Sequence, residues 1–198
     1  MVVTDIKQQV KVAGRYSISV DGKFAFGLSE SALLESGLHV GLNLTDDQFR
    51  EFKKAAGLDK IYGASLRYVA MRPRSRWEIT NYLQRKGAAP EQSDQVIQRL
   101  EKIGMVDDHK FAQSWVESRR LIKPTSVRKL RLELRQKQVA SDIIDSVLSE
   151  DPTNDQETLK QLIAKKRKSY PDDTKLMQYL ARQGFGYDDI KNALNAID

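Results

Sequence analysis

Cysteine is absent from this 198-residue chain, which rules out a disulfide framework and a thiolate metal site. Only two histidines occur, His39 and His109, too few for a histidine metal cluster or a two-histidine mechanism. No apolar run approaches the ~20 residues needed to cross a bilayer. Residues 1–10 lack the positive head and apolar centre of a secretory signal. A cytoplasmic protein with no membrane contact is expected. Phosphate-loop chemistry is missing too, because Gly37-Leu-His-Val-Gly41 has the wrong length and no lysine. No G-x-S-x-G elbow occurs, and no nucleophile, base and orienting group form a set. The expectation is a non-enzymatic protein without a cofactor.

Charge is what the chain has in quantity. Charged residues make up 30% of it, and Lys+Arg outnumber Asp+Glu by 33 to 27, a net charge of +6 that favours a polyanionic partner. Apolar residues reach only 40%, low for one compact globule and suited to helices with much solvated surface. Residues 1–58 balance seven basic against seven acidic side chains, which argues against phosphate binding there. Residues 59–106 carry nine against five and residues 107–150 nine against seven, whereas residues 151–198 carry eight of each. A polyanion site is therefore expected in the middle of the chain.

The hydrophobic period changes along the sequence. Residues 6–12, 15–20 and 23–28 are short and mostly alternating, with Tyr16, Ile18 and Val20 followed by Phe24 and Phe26. Asp21-Gly22 between two such runs is a hairpin signal, because a type I′ turn needs positive φ at both central residues. Ala13-Gly14 supplies the preceding turn. This predicts a three-stranded ribbon, which must pack on something to be stable. Two helices, roughly 30–36 and 46–56, are the expected cover, the second opened by a Thr45/Gln48 capping box.

From about residue 59 the pattern is helical. Ser75-Arg-Trp-Glu78 is a capping box whose helix stops at Gly87, and Pro90 suits the first turn of a helix stopping at Gly104. Pro124, Pro152 and Pro171 fall between later helices. A degenerate repeat runs through this region. Leu83-Gln-Arg-Lys-Gly87, Leu134-Arg-Gln-Lys-Gln138 and Leu180-Ala-Arg-Gln-Gly184 each close a helix. An amphipathic helix follows each: Val96, Ile97 and Leu100; Ile143, Ile144, Val147 and Leu148; Ile190, Leu194 and Ile197. The predicted fold class is mainly α, with three tandem three-helix repeats in an elongated curved array. The expected boundaries are a small α+β N-terminal domain at 1–58 with a three-stranded β-ribbon, then repeats at 59–106, 107–150 and 151–198.

The acidic pairs Asp46-Asp47, Asp107-Asp108, Asp172-Asp173 and Asp188-Asp189 are read as helix-start residues rather than metal ligands, because carboxylates there cap free amides and favour the dipole. The cations are weighted the other way. Clusters recur before each helix-closing motif: Arg72, Arg74 and Arg76; Arg119, Arg120 and Lys123; Lys165 and Lys166. Arg128, Arg131 and Arg135 follow at i, i+3, i+7, on one helix face beside the buried stripe Val127, Leu130 and Leu134. These cations are the candidate binding residues. Leu132 falls outside the stripe and is free to meet the next repeat or a partner. Tyr68 and Trp115, at corresponding repeat positions, are read as inter-repeat core, and His39 and His109 as surface residues.

Gly104-x-Val106-Asp107-Asp108-x-x-Phe111-Ala112-x-x-Trp115-Val116-x-x-Arg119 resembles the signature of the RecX family of recombination regulators. Arg72-Pro-Arg74-Ser75 with Glu78 and Leu83-x-x-Lys86-Gly87 resembles it also, as does Leu130-x-x-Glu133-Leu134-x-x-Lys137. Arg15-Tyr-Ser-Ile18, Asp21-Gly22 and Phe24-Ala-Phe-Gly27 are similar to longer members with an extra domain. Gln138 departs from the family's glycine. The resemblance implies a cytoplasmic protein without a catalytic site. Such proteins bind the RecA recombinase filament on single-stranded DNA in its helical groove and reduce its growth, ATP hydrolysis and strand exchange. Recombinase surface and DNA phosphates would then be the partners of a monomer. The alternatives are a stand-alone DNA-binding helical module and a scaffold that binds no nucleic acid.

Overall fold

The computed structural model describes residues 1–10 and 12–196; Ile197, expected on the last buried stripe, lies outside the described residues. Strands β1 (Val3–Gln8), β2 (Arg15–Val20) and β3 (Lys23–Ser29) form an antiparallel sheet in the order β1-β2-β3. Asp21 and Gly22 take φ of 49° and 78°, as the type I′ hairpin requires. The first strand lies earlier than the expected 6–12. Val3 is fully buried opposite Val20, donates its amide to Leu42 O and accepts from Gly41 N, so pairing begins there.

The alternation also fails at one residue. Ile18 pairs with Phe26 but Ser19 pairs with Phe24, so Ala25 is an extra residue in β3. Such a bulge re-aims neighbouring side chains. Phe26 is buried against Phe49 and Phe52 (centroids 6.2 and 6.4 Å away), whereas Phe24 is 68% exposed.

Helices α1 (Glu30–Ser36) and α2 (Asp46–Ala70) cover the sheet, with the capping box at Thr45 and Gln48 in place. α2 does not end at Ala56. It spans 25 residues in all, running through Gly57 and across position 58/59, so its C-terminal half serves as a repeat helix. A mid-helix glycine costs roughly 1 kcal/mol, but tertiary contacts hold this stretch. Buried Asp59 accepts from Ser29 N (2.9 Å) and Ser29 Oγ (2.5 Å) and pairs with Arg15 at 3.1 Å. Ser29 in turn caps α1 by accepting from Ala32 N.

The remaining helices are α3 (Arg76–Arg85), α4 (Pro90–Lys102), α5 (Asp108–Ile122), α6 (Val127–Gln136), α7 (Ser141–Glu150), α8 (Asp155–Lys166), α9 (Asp173–Arg182) and α10 (Tyr187–Asn195). The chain divides into two compact units, residues 1–72 with 79–105, and residues 73–78 with 106 onward. The second unit contains α5–α7 around Phe111, Leu130, Leu134 and Ile144, and α8–α10 around Leu159, Leu176, Leu180 and Ile190.

Gly87, Gln138 and Gly184 all adopt positive φ (78°, 56° and 95°) at the same repeat position. The next amide folds back each time: Ala88 N to Leu83 O, Val139 N to Leu134 O and Phe185 N to Leu180 O. The helix therefore stops at Gln138 despite the missing glycine, at the steric cost of a left-handed side-chain residue. Gly184 has a second constraint, since an added Cβ would stand 2.7 Å from Lys129 Cβ and closer still to Ser126 Oγ. Urea unfolding should show Gln138→Gly stabilising by about 1 kcal/mol, and Gly184→Ala destabilising by roughly 3 kcal/mol or more.

Candidate functional site

Ser126 starts α6 by accepting from Lys129 N (3.2 Å), and burial of Leu130 and Leu134 then fixes the helix rotation. Arg128, Arg131 and Arg135 consequently share the outward face. They line a cleft of about 420 Å³ with Lys129 and Leu132 of α6 and with Ala181, Arg182 and Gly184 at the end of α9. Among the described residues, five cations and no carboxylate face this space, and Leu132 stands among them 56% exposed. Among the described residues, Arg128, Arg135 and Arg182 have no ion pair, whereas Arg131 is paired with Asp145 of α7.

Lys129 reaches across to Arg182 O and to Gln183 Oε1 at 3.3 Å. Burial pushes its ammonium below the ordinary lysine range. The neighbouring charges of Lys123 and Arg119 push the same way, against Glu133. Cations are thus crowded around α6, and an incoming anion would relieve their repulsion.

The other predicted contact residues are placed differently. Arg120 requires correction, because its side chain is only 10% exposed and faces Asp151, itself 6% exposed. Its Nε and Nη2 donate to Asp151 at 2.9 and 2.7 Å, and Nη1 donates to Thr125 O at 2.6 Å. Asp155 lies 3.8 Å from the same guanidinium and accepts from Val127 N. Thr125 Oγ1 and Ser126 N both donate to Gln183 O, at 2.6 and 3.1 Å. Arg120 is therefore the hub of the joint between repeats two and three and is not an accessible cation.

Arg119 donates to Glu133 (2.7 Å) and lies over Trp115, whose Nε1 also donates to Glu133 (2.9 Å). Lys137 covers the same ring and donates to buried Glu78 at 2.7 Å. Trp115 packs inside its own repeat, not between repeats as expected, and Tyr68 stacks on Tyr82 at 4.1 Å. Lys123 and Lys165 are exposed, and Lys166 lies over Tyr179, outside the cleft. Arg72 belongs to the first unit. Arg74 and Arg76 belong to the second but do not line the cleft.

Lys129 and Arg182 were not among the predicted contacts. The signal for Arg182 was its place in the helix-closing motif, where the glycine brings α9 up to α6. Two of the acidic pairs cap helices, Asp107 accepting from His109 N and Lys110 N and Asp172 from Lys175 N, while Asp46-Asp47 and Asp188-Asp189 stand in the first turns of α2 and α10. No cluster of three or more His, Asp or Glu suited to a metal occurs among the described residues.

Family models for the first, second and third three-helix domains of RecX match residues 62–100, 107–148 and 154–194. Regulatory protein RecX of Leuconostoc citreum is 30% identical over 195 residues, covering 95% of this chain and 73% of that protein. The chain belongs to the RecX family. RecX of Oceanobacillus iheyensis is 30% identical over 99% of this chain and 76% of its own length. RecX of Lactobacillus johnsonii is 33% identical, but the match spans only 55% of that protein. A crystal structure of regulatory protein RecX matches with a TM-score of 0.74 and 28% identity, covering 96% of this chain and 98% of that one.

The buried joint should govern stability in this RecX chain. Arg120→Ala leaves Asp151 without its partner and should cost roughly 3–5 kcal/mol in urea unfolding. Burial pushes the Asp151 carboxyl up, but hydrogen bonds from Thr153 and Arg120 outweigh it and hold the group below 3.8. Backbone donation from Lys110 holds Asp107 low as well. Both contributions are full above about pH 4 and are lost as pH falls through the lowered folded values. The stability lost between pH 5 and 3 should shrink in Asp107→Asn and Asp151→Asn variants.

Proposed function

We propose that this RecX chain binds the RecA recombinase filament on single-stranded DNA and opposes its growth, ATP hydrolysis and strand exchange in homologous recombination and DNA repair. It acts by occupancy, without catalysing a reaction. The observation that carries this reading is the composition of the α6/α9 cleft: five cations, no carboxylate and an exposed leucine in their midst. Cations alone suit any phosphate chain. Leu132 adds an apolar contact that a bare phosphate backbone cannot use and a protein surface can. The composite fits a partner that presents acidic protein surface and DNA phosphates together.

Arg128, Arg135, Arg182 and Lys129 are the principal contacts, with Arg131, Arg119 and Lys123 at the margin. Arginine suits the role because its planar fork binds carboxylate and phosphate in two-point geometry. Seated there, the chain would compete with strands entering the recombinase groove and bridge neighbouring recombinase subunits. A partner that reaches beyond the cleft would also meet Arg74, Arg76, Lys165 and Lys166 of the same unit.

A stand-alone DNA-binding module would bind naked duplex tightly and lose that affinity steeply with salt. A filament ligand would bind naked DNA weakly and recombinase-coated single strands far more strongly at the same salt. The Arg128→Glu/Arg135→Glu/Arg182→Glu variant should keep its helical circular dichroism. Its affinity for coated strands should fall more than roughly tenfold, and its inhibition of ATP hydrolysis should fall with it. Undiminished inhibition by this variant would remove the cleft from the mechanism.

A further inference from the structure

The N-terminal unit contains a second basic groove, although residues 1–58 balance their basic and acidic side chains. A cavity of about 570 Å³ runs between β3 and α2. Val12, Phe24 and Ala25 line it from the sheet side, and Lys53, Lys60 and Arg67 from the helix. The three cations are exposed and stand seven residues apart, so they follow one face of α2 at intervals of ~10.5 Å. Among the described residues, no carboxylate lines the groove. The acids of residues 1–58 lie elsewhere, and Asp59 is buried and committed to Arg15 and Ser29. Glycine opens the approach: a Cβ on Gly63 would stand 3.8 Å from Arg15 Nη1 and 3.9 Å from Arg67 Nη1, so two guanidiniums converge there.

Phe24 gives the groove its second property. The bulge at Ala25 turns it away from the core, leaving a large ring exposed at the groove wall. Exposed aromatics beside a track of cations are the elements of a single-strand site, in which bases stack on rings while phosphates meet lysine and arginine. Of the other lining residues, Gln9 has already given its amide nitrogen to Ser17 Oγ at 3.1 Å, Arg15 is committed to Asp59 and to Gly27 O, and the remainder are apolar or glycine. Such a wall suits deoxyribose better than a hydrated 2′-hydroxyl.

We infer that the β3/α2 groove is a binding site for single-stranded DNA, with Phe24 as a base-stacking platform and Lys53, Lys60 and Arg67 as phosphate contacts. The site is separate from the α6/α9 cleft and does not depend on the function proposed for that cleft.

The test uses full-length protein carrying Arg128→Glu/Arg135→Glu/Arg182→Glu, so that the cleft contributes nothing, and a fluorescein-labelled dT12 probe. Anisotropy titrations over a range of salt should show binding that weakens roughly tenfold with Phe24→Ala. The log–log salt slope should fall by about 2 when Lys53, Lys60 and Arg67 are all changed to alanine. A bromodeoxyuridine-substituted dT12 should crosslink to the peptide containing Phe24. Unchanged affinity and slope in both variants would overturn the site. Equal binding of an rU12 probe would overturn the choice of DNA. Displacement by a polyglutamate peptide of equal charge, with no effect of Phe24→Ala, would mark the groove as a docking surface for an acidic protein instead.

Discussion

The buried pairing of Arg120 with Asp151 is the constraint on which the second unit depends. Each of its two repeats has a core of its own, and among the described residues the two cores form separate clusters. The joint is polar: a guanidinium shared between Asp151 and Thr125 O, a carboxylate under Val127 N, and the Gln183 carbonyl receiving two donors. Polar contacts of this kind are directional, so they fix how the repeats are turned as well as that they touch. Gly184 then allows a closeness that any side chain would forbid. The cleft between α6 and α9 exists because this joint is closed, and its surface charge rests on an interior charge.

The sequence disclosed its local grammar well. Capping boxes at Thr45 and Ser75, the Asp21-Gly22 hairpin and the three helix-closing motifs all depend on contacts between near neighbours, and all are present. Features set by distant partners were less legible. Arg120 looked like any exposed cation because Asp151 lies 31 residues away. The second covering helix was expected to end near residue 56 because the hold of Asp59 on Ser29 spans 30 residues. The Phe24/Phe26 alternation gave no sign of the Ala25 bulge, which exists only in the pairing with β2. Of the cleft, the three arginines of α6 were readable from helical spacing, whereas Arg182 was joined to them only by folding.

Placement of the acids explains how a net charge of only +6 leaves such open basic surfaces. Asp107 and Asp172 receive helix-start amides, Asp46 and Asp188 stand in first turns, and Glu78, Asp59 and Asp151 are drawn into the interior. Carboxylates engaged at helix starts or with interior cations do not line the α6/α9 cleft or the β3/α2 groove. Structural economy on one sign of charge thus exposes the other, at the α6/α9 cleft and along α2 alike.

The unbroken run of α2 carries an implication for how such a chain can vary. Its first half packs on the sheet and its second half on the helices of the first repeat, with Asp59 anchored between. One inserted or deleted residue would turn everything beyond it by about 100° and displace it by about 1.5 Å. Lys60 and Arg67 would swing off the face they share with Lys53, and Val69 would leave the interior. Length in this segment is thus locked by angular phase, and lineages that grow or shrink must do so in the turns, where the screw sense of a helix imposes no toll.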